Sequence, residues 1–264
     1  MTEYYFLASL LPELQIGHVP GLGYAALKPL LIANLNKKDL AKTKKFLHIF
    51  DYDNLRALWV GDVFDKRGNF TKIELEQALI DLGWPDGQDF PDYLVDYLGK
   101  YQKNEERAKN YFILVSRFLQ EQLEKEEGFL QELFQFEKEF RLILIGFRAK
   151  KLGRKLSVEL QYEDSTDSIV AQILAQKDSK GYEPPFEYHE TKFIFDDYGD
   201  HPIELHKACL KYRFAKYVEL CGSAIFSIDR ILGYIARLLL VEKWIELDIQ
   251  MGVEIIDDIV REVK

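Results

Sequence analysis

The sequence predicts an all-α fold, a multi-lobed bundle of long helices. Three observations carry that reading. Apolar residues recur at three- and four-residue spacing along nearly every segment. Helix-start signals stand where those segments open, such as Thr71 with Glu74 three positions on. The aromatics are mostly Phe (18) and Tyr (15), which suit helix-on-helix packing with polar tips reaching water.

The elements follow in order. Tyr4 to Leu14 is apolar and stops near Pro12, as a short helix or an extended arm. Gly and Pro make a loop of residues 17–23, and Leu27 to Leu35 is a short apolar helix. Asn36 caps the next helix and Asp39 sits in its first turn. Leu55, Leu58 and Trp59 continue at helical spacing to Val60. Thr71 and Glu74 open a helix to Leu82, and residues 83–91 form a turn-rich break. One long helix is expected from Asp92 to Gln122, with Tyr93, Tyr97, Tyr101, Tyr111 and Phe118 on its stripe. Phe129 to Lys151 is another, nearly continuous in apolar residues from Phe140 to Phe147 and basic at its end. Leu156 to Tyr162 alternates weakly and admits a short strand. Asp164 or Ser165 caps a helix through Gln176. Ile203 to Cys221 and Ser223 to Val241 are one long or two consecutive helices, and Val253 to Val263 is a last amphipathic one. The expected division is an N-terminal lobe over 1–83 and a long-helix bundle over 84–264, with connectors near 153–164 and 177–185.

Composition narrows the function. Hydrophobic content of 47% excludes global disorder. A net charge of −9 argues against nucleic acid, where phosphate contacts need excess Lys and Arg, and against polybasic docking on anionic lipid. Cys209 and Cys221 lie 12 residues apart on a predicted helix. That is roughly 18 Å of axis at 1.5 Å per residue, too far for a disulfide, so both are expected as reduced thiols. The first residues lack the basic start of a signal peptide. The best membrane candidate, Leu220 to Val241, is interrupted by Asp229, Arg230 and Arg237 and reads as a buried helix.

Candidate chemistry is sparse. Residues 65–76 have the length of a calcium loop, but Arg67 and Phe70 stand where an oxygen ligand and a glycine are needed. Gly21 and Gly23 lack a third glycine and a preceding strand, so no nucleotide fingerprint is present. His201 and His206 lie among acidic residues, but a spacing of five does not place both on one helical face. No catalytic, cofactor-binding or metal-ligating set is predicted. The charge layout is more informative. Between Glu137 and Lys155 the chain carries a local net charge of +5, and between Glu183 and Glu204 a net of −6. Lys150, Lys151, Arg154 and Lys155 form a candidate basic docking face for a protein partner, since complementary charge sets orientation and on-rate.

The pattern of Glu139, Arg141, Gly146 and Arg148, on a long helix ending Lys-Lys-Leu-Gly, is similar to the repeated motif of the C/d family of V-type ATPase stalk proteins. The segment Tyr212 to Val241 resembles that family's long helix pair. The opening Tyr4 to Leu14 resembles the start of a shortened, diverged bacterial relative encoded beside V-type ATPase genes. The resemblance implies a funnel-like, non-catalytic component of the central stalk that couples the membrane rotor ring to the stalk for proton or sodium transport. It implies the rotor ring and the other stalk proteins as partners, no cofactor, and a cytoplasmic place at the inner membrane. Glu139, Arg141, Gly146 and Arg148 would then pair charges between helices and allow close approach at Gly146. The alternatives are a soluble α-helical adaptor or scaffold unrelated to ATPases, and a helical metal-dependent hydrolase using His201 and His206.

Overall fold

The structure, a computed structural model, describes residues 3–262, with side chains as far as residue 249. It is all-helical. Among the described residues there is no strand, and an isolated bridge joins Gly83 and Asp89. The chain forms two compact units. Unit 1 combines residues 1–34 with 139–264, and unit 2 is Leu35–Lys138.

Unit 2 is built on α3 (Lys37–Val60), which Asn36 caps by accepting from the Asp39 amide at 2.9 Å. The helix stops at Gly61, whose φ of 72° is the left-handed conformation that glycine adopts without penalty. The capping box of Thr71 and Glu74 opens α4 (Lys72–Asp81) as its sequence predicts. Trp84 then turns inward. It packs on His48, Tyr52, Phe70 and Phe90 at ring separations of 4.8–5.8 Å between neighbours of that cluster. The fully buried Asp51 carboxylate ties down the preceding loop, accepting from the Asn69 amide at 2.8 Å and its side chain at 2.7 Å. Gly68 passes so close to Asp51 that a Cβ there would lie 2.6 Å from Oδ1.

The expected boundary at residue 83 is therefore not where the units divide. Its turn residues belong to unit 2's aromatic core, and residues 24–34 pack against the C-terminal helix instead. The single helix expected over 92–122 is also three: α5 (Asp92–Lys100), α6 (Asn104–Lys109) and α7 (Tyr111–Lys125). Across the first break Arg107 donates from Nε to the Tyr101 carbonyl at 2.6 Å, and the second break falls at Asn110.

α8 (Phe129–Lys151) starts after Gly128, which has φ 65°. It ends at Gly153, where the Arg154 amide donates back to Ala149 at 2.8 Å to satisfy a terminal carbonyl. Residues through Lys138 belong to unit 2 and those from Glu139 to unit 1.

In unit 1, α1 (Tyr5–Leu10) and α2 (Tyr24–Asn34) lead to the C-terminal elements. The Glu242 carboxylate accepts from the Tyr24 amide at 2.6 Å, at the positive end of α2. Residues 156–159 form one helical turn, α9, not the strand their alternation admitted, because the segment has no partner strand to pair with among the described residues. Asp167 caps α10 (Ser168–Ala175), displacing the expected caps at 164 and 165, by accepting from Ile169 at 2.9 Å. Asp164 instead binds the Thr166 amide within the approach turn.

A short 3-10 turn at Phe186–Tyr188 precedes α11 (Glu190–Tyr198). α12 (Pro202–Leu220) and α13 (Ile228–Glu262) are separate helices, joined through a loop in which Gly222 has φ 61°. The α13 backbone runs unbroken through the separate last helix expected from Val253, whose side chains lie outside the described residues. Ile231, Ile235, Leu238 and Val241 are fully buried along α13, and Leu142 and Ile143 along α8. No helix of the described residues is long and apolar enough to cross a membrane.

Candidate functional site

The C-terminal helix pair carries an arginine cleft. Its floor is a single face of α13. Arg230, Tyr234 and Arg237 recur there at four- and three-residue spacing, which places them in one row. Phe214 and Val218 of α12 and Ile225 of the connecting loop form one wall. Ala8 of α1 and residues 11–14 form the other, and the cleft holds about 570 Å³.

The electrostatics of this row are unusual for an acidic protein. Neither arginine forms an ion pair among the described residues. Arg237 spends Nε on the Gly233 carbonyl at 3.2 Å, and its guanidinium stands 5.8 Å from the Phe214 ring centroid. Burial holds the Arg237 guanidinium below its ordinary pKa, and the like charge of Arg230 adds to the effect. Tyr234 is 5% exposed, and its hydroxyl is sealed from solvent without a hydrogen-bond partner among the described residues. Burial pushes that hydroxyl up to about 12, so it stays protonated and able to donate. Two guanidinium groups therefore line one concave site, and Glu13, which also lines it, pairs with neither among the described residues. Such a donor set binds anions. Its apolar walls favour an anion with a hydrocarbon body.

The residues predicted from sequence fall elsewhere in unit 1 and are mostly engaged. Glu139 accepts from the Tyr188 hydroxyl at 2.5 Å. Arg141 donates to Glu163 at 2.7 Å, with the Glu163 side chain 4% exposed. Gly146 lies beneath the Tyr182 ring, where a Cβ would come within 2.8 Å of Cε1. The neighbour of Gly146 is a loop tyrosine, not a second helix. Arg148 is exposed.

Of the basic docking residues, Lys150 donates to three carbonyls, those of Gln176, Lys177 and Ser179, at 2.6–2.9 Å, and so fixes the loop after α10. Lys151 pairs with Asp200 at 2.6 Å, which holds that carboxyl below its ordinary range. Arg154 lies 3.5 Å from Glu159. Lys155 precedes α9 and is exposed. The oppositely charged segments thus meet one another through Lys151 and Asp200, beside Phe147 stacked on Phe195 at 4.2 Å.

His201 precedes Pro202 at the start of α12, and His206 lies within that helix. Burial lowers the His206 pKa, and the charges of Lys243, Arg213 and Arg148 act in the same direction. No group of three or more metal-ligating side chains is assembled among the described residues. Cys209 and Cys221 are both free, and burial pushes the Cys209 thiol up to about 11.

The profile of the family described as "protein of unknown function (DUF2764)" matches residues 1–264. The chain belongs to that family. Relatives in the family extend end to end. An uncharacterized protein of Chlamydia pneumoniae is 32% identical over 265 residues, spanning 100% of both chains. One from Chlamydia muridarum is 33% identical over 258 residues, 97% of each. One from Chlamydia trachomatis is 31% identical over the same length, again 97% of each. No solved structure matches.

This membership corrects the resemblance to the C/d family of V-type ATPase stalk proteins. The DUF2764 profile accounts for the whole chain, whereas the likeness to the C/d family rested on three stretches, Tyr4 to Leu14, Glu139 to Arg148 and Tyr212 to Val241. Such stretches recur on unrelated helices, because charges spaced along a helix and a glycine beneath an aromatic ring answer general packing needs. The arginine cleft of this chain went unseen in the sequence because Arg230 and Arg237 read as interruptions of an apolar helix. Their seven-residue spacing, two turns of one face, was the signal available.

Proposed function

We propose that this DUF2764 protein is a non-catalytic helical adaptor that holds a protein partner at the α12–α13 cleft. The observation that carries the reading is the row of Arg230, Tyr234 and Arg237 in a concave site rimmed by exposed apolar side chains. Val218 is 45% and Ile225 60% exposed at that rim. Apolar surface beside arginines that form no ion pair among the described residues suits recognition, where the apolar part supplies affinity and the charge supplies orientation.

The test is site-specific photocrosslinking from Val218 and Ile225 in cells, followed by reconstitution with the purified crosslinked protein. The expected result is a complex of fixed stoichiometry that Val218→Asp weakens by about tenfold, the loss of a well-packed apolar contact. A crosslinking pattern indistinguishable from that of exposed Ile73 on α4 would overturn the reading.

A second reading keeps the rotary ATPase as the partner, with the chain as an accessory from its own family. It would link the rotor ring to the central stalk on the cytoplasmic face of the inner membrane. Favouring it are helices α8 and α13, of 23 and 35 residues, which supply the stiff spans that a mechanical link needs. Exposed Arg148 and Lys155 at the end of α8 would serve as its docking charges. Co-purification at stoichiometric ratio with the detergent-solubilised ATPase is the expected outcome. Complete separation at physiological salt refutes it.

A further inference from the structure

The chemistry of the cleft narrows what it recognises, if the adaptor reading holds. We infer that the cleft receives a carboxylate carried on an apolar body, presented by an amphipathic acidic segment of the partner. Arg230 and Arg237 would hold the carboxylate, and Phe214, Val218 and Ile225 would take the apolar side chains beside it.

Two features point to this ligand. The first is the donor set. The terminal nitrogens of Arg237 and the whole Arg230 guanidinium make no hydrogen bond among the described residues, and a planar guanidinium fork matches a carboxylate. The second is the apolar wall. A small hydrated anion would leave Phe214, Val218 and Ile225 against water, whereas an acidic residue flanked by Leu-like side chains covers them. Glu13 stands exposed on the opposite wall and disfavours a densely charged ligand such as inorganic phosphate.

The experiment uses the full-length chain and fluorescence anisotropy. The probes are a short fluorescein-labelled peptide, with Leu and Glu at helical repeat and both ends blocked, and its counterpart with Gln for every Glu. The expected result is binding of the acidic peptide with an affinity at least about tenfold above the Gln peptide, as charge-assisted hydrogen bonds require. Arg230→Gln and Arg237→Gln should each weaken it by about tenfold. Arg237 also donates to the Gly233 carbonyl within its own helix, so Arg230→Gln keeps the test sound should Arg237→Gln fail to fold. Unlabelled hexanoate should compete weakly and inorganic phosphate less still.

Equal affinity for the two peptides, no binding of either, or binding indifferent to Arg230→Gln overturns the inference. Hexanoate binding as tightly as the peptide would place the carboxylate on a free small acid and overturn the peptide source. If the crosslinked partner of Val218 still binds the Arg230→Gln and Arg237→Gln variants with unchanged affinity, the adaptor reading stands and the carboxylate inference falls.

Discussion

Gly146→Ala tests how unit 1 is packed. On an isolated helix the change would stabilise by about 1 kcal/mol, because alanine loses less backbone freedom than glycine. The tertiary environment opposes it. The added Cβ would meet Cε1, Cδ1 and Cζ of Tyr182 at 2.8, 2.9 and 3.0 Å. Ordinary carbon contacts are about 3.5–4.0 Å, so the ring must retreat by about 0.7 Å or more. Tyr182 is 4% exposed and meets Phe147 edge-on at 5.0 Å, and Phe147 in turn stacks on Phe195. The retreat therefore disturbs an aromatic row. Overpacking of this kind costs about 1–3 kcal/mol. The two effects leave a net loss of about 1 kcal/mol, read as a lower urea midpoint at constant slope.

A mutant cycle separates them. In a Tyr182→Ala background the ring is gone, so Gly146→Ala should stabilise by about 1 kcal/mol, a coupling of about 2 kcal/mol between the positions. If Gly146→Ala stabilises the protein with Tyr182 intact, the ring does not sit over the glycine and the packing account is wrong.

Three further outcomes are expected. Arg141→Met should cost about 3 kcal/mol by leaving the Glu163 carboxylate buried without its cation, whereas Arg141→Met with Glu163→Leu should fall within about 1 kcal/mol of the wild type. Equal losses in the single and double variants, by urea unfolding, would show that the pair is not coupled. His206 titrates below its ordinary 6.5 in the folded chain because burial disfavours its charged form. The unfolded chain therefore binds the proton first, and His206 contributes a loss of stability as pH falls below 6.5 toward the lower folded value. His206→Gln should flatten that part of the stability–pH curve, and an unchanged curve contradicts the assignment. Cys209, raised by burial from 9.0 to about 11, should carry a thiolate fraction about 100-fold below that of an ordinary thiol at neutral pH. Iodoacetamide labelling of a Cys221→Ser variant at the rate of a free thiol would refute this.

Local signals in the sequence specified the helices and their punctuation. Asn36 and the Thr71–Glu74 box act through neighbours within one turn, so their effect is legible without knowing what lies opposite. The apolar run of α8 and the stop at Gly153 are readable for the same reason. The break after Lys100, where Arg107 of the next helix holds the Tyr101 carbonyl, and the inward turn of Trp84 are not, because each shows only once separate elements pack. Tertiary structure also decided what the charges do. The basic run after Phe147 looked like a surface for a partner. Lys150 spends its charge on the carbonyls at the end of α10, and Lys151 on Asp200, an acidic residue nearly 50 positions away. The reverse holds at α13. Arg230 and Arg237 looked like flaws in a buried helix, yet folding brings apolar walls against them and no carboxylate within ion-pair reach among the described residues. A charge in a sequence carries its sign, but its partner is chosen only when distant segments pack.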